Sequence, residues 1–110
     1  RPDARDALHQ AIRAMDAKDA ETAVRLLKRI EPSYPGLQDW IGLKLAEAYV
    51  LLPREDMAQL RLKTLLQRHP QSPLRAATLY KLAQSRLRGG ETKEAKAHFA
   101  RVHAQFPETE

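Results

Sequence analysis

A four-residue apolar pattern occurs three times in this chain and constrains its fold more than any other feature. Its positions lie 4, 3 and 4 residues apart, and each copy ends directly before a proline. The copies are Ala23, Leu27, Ile30, Tyr34 before Pro35; Ala58, Leu62, Leu65, His69 before Pro70; and Ala95, Phe99, Val102, Phe106 before Pro107. This spacing places four side chains on one stripe of a helix, and the proline disfavours its continuation. The pattern predicts three helices that end alike.

A partner helix is predicted upstream of each stripe. Leu45 and Ala46 recur 37 residues later as Leu82 and Ala83. Small side chains allow paired helices to approach closely, and alanine recurs on the first helices (Ala11, Ala46, Ala83) and on the second helices (Ala23, Ala58, Ala95). The 17 Ala and 16 Leu, against three Val and three Ile, favour helix over strand. The predicted fold is all-α, with six helices at 4–17, 20–33, 37–52, 54–69, 73–88 and 91–106.

The helix ends have the residue types that start and stop helices. We expect Asp19 to cap the second helix, Pro53 to occupy a first turn, and Ser72 to cap a helix whose first turn holds Pro73. The pair Gly89-Gly90 is predicted to close the fifth helix. Acidic first turns, at Glu55-Asp56 and at Glu91 with Glu94, suit the helix dipole.

The length of 110 residues predicts one domain, 1–110, with repeats at about 4–36, 37–72 and 73–108. The chain contains no cysteine, so disulfides and thiolate chemistry are excluded, and both the cytoplasm and a periplasm fit. Its longest stretch without Asp, Glu, Lys or Arg has seven residues, against the roughly 20 that a membrane-spanning helix needs. Because the sequence opens without methionine, we expect it to be a segment of a longer protein.

The offsets between copies, 35 and then 37 residues, are close to the period of a tetratricopeptide repeat. The chain resembles that family, and its third copy matches best, at Leu79, Leu82, Ala83, Gly90, Ala95, Phe99, Val102 and Pro107. Two positions depart from the family pattern: Arg86 replaces the usual tyrosine, and Gly42 stands where a large ring is common. The resemblance implies three helix hairpins in a short right-handed superhelix.

A narrower resemblance rests on Tyr-Pro-Gly-Leu-Gln-Asp-Trp at 34–40, Leu-Ala-Glu-Ala-Tyr at 45–49, His-Pro-Gln-Ser-Pro-Leu at 69–74 and Gly-Gly at 89–90. These segments are similar to the superhelical region of bacterial soluble lytic transglycosylases. That resemblance implies a non-catalytic module that positions peptidoglycan, in the periplasm or cell envelope. The alternative is a free-standing protein–protein adaptor of envelope assembly, since the outer-membrane assembly lipoprotein and the Tol-Pal coordinator share such segments.

No set of residues predicts catalysis, a metal site or a cofactor. The acidic pairs, Asp16 with Asp19, Glu55 with Asp56 and Glu91 with Glu94, fall at helix boundaries, where capping explains them. The histidines are His9, His69, His98 and His103, and only Glu94 with His98 has a helical ligand spacing. Two ligands make a poor metal site.

The candidate binding residues lie on the first helix of each hairpin, because repeats of this class bind partners along that surface. They are Arg5 and His9; Trp40, Lys44 and Glu47; and Tyr80, Lys81, Gln84 and Arg88. Trp40 and Tyr80 suit sugar rings or apolar peptide groups, while lysine and arginine suit carboxylates. In the alternative interpretation the two rings pack between repeats and the cations form a solvated face. Glu47 and Lys44 are spaced for a surface ion pair.

Two kinds of partner are disfavoured, and a third is expected. The net charge of +5 is spread as +1, +1 and +3 over residues 1–36, 37–71 and 72–110, which argues against nucleic acid. Leu8 and Ile12 occupy the positions at which chaperone-binding members of the family carry lysine and asparagine. The stripe of Phe99, Val102 and Phe106 near the end of the sequence predicts either a continuing superhelix or self-association.

Overall fold

The computed structural model describes residues 3–89 and 92–105, with the side chains of residues 92–95 and 98 outside the description. Within these residues the chain forms six α-helices and no strand. They are α1 (Ala4–Asp16), α2 (Ala20–Ile30), α3 (Gln38–Leu51), α4 (Glu55–Arg68), α5 (Arg75–Arg88) and α6 (Thr92–Gln105). Two 3₁₀ turns, Glu31–Ser33 and Pro35–Leu37, join α2 to α3. The predicted all-α fold is confirmed.

Each helix packs mainly against its neighbours along the chain. The closest packing joins α1 with α2, α3 with α4 and α5 with α6, so the helices form three hairpins. The hairpins stack through α2 against α3 and through α4 against α5. This serial packing extends the molecule to 47 × 28 × 21 Å. A stack of hairpins in which each unit contacts its neighbours is the architecture of helical repeat proteins.

Two clusters of buried side chains hold the hairpins together. The first contains residues of α1, α2 and α3, among them Ala11, Leu27 and Ile41. The second joins α3, α4 and α5 through Leu43, Ala46, Leu62, Leu65 and Leu82. The predicted alanines of close approach are buried at Ala11, Ala23, Ala46, Ala58 and Ala83, each at most 1% exposed. Ala95 lies outside the described side chains.

Most helix ends agree with the sequence, and three are corrected. The second helix ends at Ile30 instead of the predicted residue 33, because residues 31–33 form a 3₁₀ turn, so it does not end in the same way as α4. Asp19 caps α2, with its Oδ1 accepting from the backbone N–H of Thr22 at 3.4 Å. Gly89 is the C-cap of α5, whereas Gly90 lies outside the described residues. Pro53 precedes α4 instead of entering its first turn, because the helix begins at Glu55.

The start of α5 is also later than predicted. The helix begins at Arg75, so Pro73 is not in its first turn and Ser72 is not its N-cap. The Ser72 hydroxyl instead accepts from the Leu74 N–H at 3.0 Å and donates to Asp39 Oδ2 at 2.5 Å. This bond ties the loop before α5 to the first turn of α3. Sequence reasoning predicted only a local helix cap for this hydroxyl and did not predict its partner Asp39.

The turn between α1 and α2 contains a left-handed residue that is not glycine. Lys18 has φ 61°. Its N–H donates to the carbonyl of Met15 at 3.1 Å, and the Asp19 N–H donates to the carbonyl of Ala14 at 2.8 Å. These two bonds form a Schellman motif, in which the left-handed position usually holds glycine.

Candidate functional site

The predicted binding residues of α1 are open to solvent. Arg5 and His9 are both exposed on this helix. Leu8, between them, is half-buried and packs against the first cluster, while Ile12 is 40% exposed. The structure therefore leaves Arg5 and His9 available to a partner but does not join them to the other predicted residues in one cleft.

On α3 the predicted residues form one connected group. The Trp40 ring is half-buried against the first cluster, and Lys44 Nζ lies 5.7 Å from its centroid. Lys44 also pairs with Glu47 at 3.3 Å. Glu47 in turn pairs with Lys81 of α5 at 3.4 Å. Glu47 therefore pairs with one lysine on its own helix and with one on α5, and it links the first helices of two successive hairpins.

On α5 the Tyr80 ring packs inside its own hairpin. It meets Phe99 of α6 edge to face, with ring centroids 5.2 Å apart and planes at 69°. Val102, on the same helix, is 1% exposed. Phe99 and Val102 thus pack within the chain, and Phe106 lies outside the described residues. The Trp40 ring packs between repeats, as the alternative interpretation expected, whereas the Tyr80 ring packs within its own hairpin.

Arg88 is held by a residue that the sequence did not single out as functional. The Glu55 carboxylate accepts from Arg88 Nε at 2.8 Å and from Ser85 Oγ at 2.6 Å. Burial alone raises the pKa of Glu55, but the hydrogen bonds from Arg88 and Ser85 outweigh it and hold that pKa below the ordinary value. Glu55 therefore remains charged at neutral pH and holds the Arg88 guanidinium in place.

Four of the predicted residues line one cleft between α3 and α5. Glu47, Lys81, Gln84 and Arg88 surround a cavity of about 130 Å³. Val50 and Leu62 contribute apolar wall. The Gln84 carboxamide makes no hydrogen bond to another described residue, so it offers both donors and an acceptor to a ligand. An apolar wall beside a free amide is suited to a peptide backbone.

Sequence reasoning missed a second, larger cleft, which lies between α4 on one side and the turn after α2 with the first half of α3 on the other. It has a volume of about 400 Å³ and is lined by Gly42 and Leu65, by Glu31 and Arg61, and by Arg68 and His69. Arg61 Nη1 pairs with the Glu31 carboxylate at 3.1 Å across this cleft. The sequence feature that could have predicted this cleft is Gly42, which stands where a large ring is common in the family.

No group of metal ligands and no membrane-spanning helix is found among the residues that the structure describes. No three His, Cys, Asp or Glu side chains in it are grouped so that they could bind a metal ion. The predicted pair Glu94 and His98 lies outside the described side chains. Among the described helices, none has the length and apolarity to cross a membrane.

Comparison with known proteins identifies one repeat. Residues 77–109 match the family model of the tetratricopeptide repeat. No curated protein matches the sequence. The matched segment contains α6 and most of α5, which form the third hairpin and carry the best-matching copy of the sequence pattern. With the three stacked hairpins, this match supports a tetratricopeptide-like helical repeat domain, a class that is generally non-catalytic and binds protein partners.

Proposed function

We propose that this chain is a protein-interaction module that holds a peptide segment of its partner in the cleft between α3 and α5. The observation that carries the proposal is the convergence of Glu47, Lys81, Gln84 and Arg88 on this one cavity. These residues come from two successive hairpins, so a segment that lies across them contacts both repeats. Extended binding of this kind suits the surface formed by the first helices of a repeat array.

A peptide suits the cleft better than a polysaccharide does. Aromatic ring faces that are free of other contacts are suited to stacking on the sugars of peptidoglycan. The Trp40 ring packs against the first cluster and lies near Lys44, and the Tyr80 ring packs against Phe99. The lysines are compensated by Glu47, so the cleft has a mixed charge instead of a strong preference for the carboxylates of the cell wall. We do not propose self-association through α6, because Val102 is buried and Phe99 contacts Tyr80 within the chain.

Site-specific photocrosslinking in the source cells tests the proposal. A photoreactive amino acid at Gln84 is expected to give a discrete protein adduct, whereas the same group at Gln105, exposed on α6, is not. Adding Lys81→Glu should remove the Gln84 adduct, because it replaces the cation that pairs with Glu47 by a second negative charge. Equal adducts at Gln84 and Gln105, or a Gln84 adduct that persists in Lys81→Glu, would count against the cleft.

A parallel assay addresses the polysaccharide alternative. The chain and its Trp40→Ala, Tyr80→Ala double variant are sedimented with purified peptidoglycan. We expect no sedimentation of either protein above a control without peptidoglycan. Sedimentation of the native chain that is lost in the double variant would replace the peptide proposal with a cell-wall ligand.

A further inference from the structure

The larger cleft, between α4 and the first half of α3, lies where α3 lacks a side chain. Gly42 is buried in the first half of α3. In the next hairpin the same register position, 37 residues later, holds Leu79, which is 2% exposed. A Cβ atom built on Gly42 meets only the Leu65 side chain, at 3.7 Å from Cδ1, which is ordinary van der Waals contact. Gly42 therefore lines the cleft at a position where the third hairpin buries a leucine.

Two apolar side chains line this cleft among polar ones, and its volume is that of a ligand site. Leu65, which is 3% exposed, and Pro32 line it beside Gly42. The volume of about 400 Å³ falls within the range of about 300–1,000 Å³ that is typical of ligand pockets. A leucine or phenylalanine side chain from a partner can therefore occupy the space above Gly42.

The rim of the cleft has an excess of positive charge. Arg61 is bound to Glu31, which compensates the only acidic side chain that lines the cleft. His69 acts electrostatically on Asp39, outside the cleft, and lowers its pKa together with the stronger effect of the Ser72 hydrogen bond. The Arg68 side chain is exposed and makes no hydrogen bond or ion pair with another described residue. An anionic group at the rim would find Arg68 free to bind it.

We propose that this cleft is a second binding site, which takes an acidic peptide that carries one bulky apolar side chain. The apolar side chain fills the space above Gly42, and a neighbouring carboxylate pairs with Arg68. The cleft shares no residue with the cavity between α3 and α5. The two sites can therefore be occupied together, and this proposal does not depend on the proposed function.

Nuclear magnetic resonance with the whole ¹⁵N-labelled chain tests the site. The probe is the peptide acetyl-Glu-Phe-Glu-amide. It is expected to shift the amide signals of Gly42, Thr64 and Leu65 saturably, with a dissociation constant on the order of 1 mM or below. Acetyl-Glu-Ala-Glu-amide lacks the apolar side chain and acetyl-Lys-Phe-Lys-amide reverses the charge, so each should bind at least about tenfold more weakly.

Two substitutions assign the binding to this cleft. Gly42→Leu fills the space and should abolish the saturable shifts, whereas Gly42→Ala adds only a methyl group that the structure accommodates and should retain them. Arg68→Gln should weaken binding about tenfold by removing the charged donor. Gln67→Ala, an exposed neighbour, is the matched control and should have no effect.

Several results would overturn the proposal. These are the absence of saturable shifts at Gly42, equal binding of the phenylalanine and alanine peptides, or unchanged binding by a folded Gly42→Leu variant. If Gly42→Leu does not fold, the test of the site rests on the Arg68→Gln variant and on the alanine peptide, both of which should show weaker binding. Shifts confined to Gln84 and Lys81 would assign the peptide to the cleft between α3 and α5 and reject the second site.

Discussion

Ser85 donates a hydrogen bond to the carboxylate of Glu55 over 2.6 Å, although the two residues are 30 positions apart in the chain. Ser85 is 0% exposed and lies in α5, while Glu55 begins α4. The same carboxylate binds Arg88. This contact joins the second hairpin to the third at a point where a buried hydroxyl has no access to water. A buried polar group of this kind destabilises the fold when its partner is removed.

Glu55→Ala is expected to lower the free energy of unfolding by about 1–3 kcal/mol, because it leaves the Ser85 hydroxyl buried without its partner. The measurement is urea unfolding followed by circular dichroism. Asp56→Ala is the control at the neighbouring exposed position; it removes a surface ion pair with Arg54, and its effect should be smaller than that of Glu55→Ala. The double variant Glu55→Ala, Ser85→Ala should recover part of the loss. Equal effects of Glu55→Ala and Asp56→Ala would contradict the assigned role.

Stability is expected to fall in acid partly through Glu55 and Asp39. Burial raises the pKa of Glu55, but hydrogen bonds from Arg88 and Ser85 hold it below its ordinary 4.5. The Ser72 hydroxyl is the main cause that lowers the pKa of Asp39 below its ordinary 3.8. Because both values are lower in the folded chain, the unfolded chain binds more protons. The contribution of these two carboxylates to the free energy of unfolding is complete above their ordinary pKa values. It is lost as the pH falls through the lower pKa values that they have in the folded chain.

The measurement is urea unfolding at several values from about pH 7 to about pH 3. Glu55→Gln with Asp39→Asn removes both titrating groups, so this variant should lose less stability over the acidic range than the native chain does. If the free energy of unfolding falls equally with pH in the two proteins, other carboxylates cause most of the loss of stability in acid. Asp16→Asn, which alters an exposed residue that makes no hydrogen bond or ion pair with another described residue, serves as the control.

Gly42→Ala is expected to stabilise the chain by about 0.5–1 kcal/mol, since glycine in a helix interior is unfavourable by that amount relative to alanine. The new Cβ meets Leu65 at an ordinary contact distance of 3.7 Å. Thermal unfolding measures the change. Gly36→Ala is a comparison outside the α-helices, where a Cβ has no neighbour within 4 Å, and its effect should be smaller. A lower melting temperature for Gly42→Ala would show that Leu65 cannot accommodate the methyl group.

Ala23→Leu is expected to destabilise the chain by about 1–3 kcal/mol through overpacking. Ala23 is 0% exposed within the first cluster, where a larger side chain would push α1 and α2 apart. The same substitution at Ala100, exposed on α6, should change stability by no more than about 0.5 kcal/mol. Chemical unfolding compares the two. Similar losses at both positions would indicate a general effect of leucine instead of close helix packing.

Lys18→Gly is expected to stabilise the chain by about 0.5–1 kcal/mol, because glycine adopts the left-handed conformation without the steric cost that other residues bear. Lys18 has φ 61° in the turn after α1. Lys63→Gly, at an exposed interior position of α4, should have the opposite effect and cost about 1 kcal/mol. Both are measured by urea unfolding. Destabilisation by both substitutions would mean that the Lys18 side chain makes a contribution larger than its backbone strain.

The stripes predicted helix positions well because their periodicity is local. Leu27, Ile30, Leu62 and Leu65 are all buried, and each of the six helices lies within three residues of its predicted bounds. The largest differences from the predicted bounds are at the end of α2, which stops three residues early at a 3₁₀ turn, and at the start of α5. Ser72 has the sequence signature of a helix cap, yet its hydroxyl donates to Asp39, 33 residues away.

The candidate groove was predicted in part. Residue types and register placed Glu47, Lys81, Gln84 and Arg88 on the first helices, and the structure brings these four together. Whether they form a binding site stays a prediction. The roles of Glu55 and Ser85 could not be predicted, because no short-range pattern joins a residue at the start of α4 to one near the end of α5. That pairing depends on how two hairpins stack.

By itself, the sequence determined the all-α fold, the six helices and the closely packed alanines, because helix propensity and apolar periodicity act within a few turns. The tertiary structure decided which charges compensate each other, how Glu47 links α3 to α5, and where clefts remain open. Gly42 illustrates the difference. The sequence shows that a side chain is missing there. Only the packing of α3, α4 and the turn after α2 determines that the space stays open and that Arg68 lies at its rim.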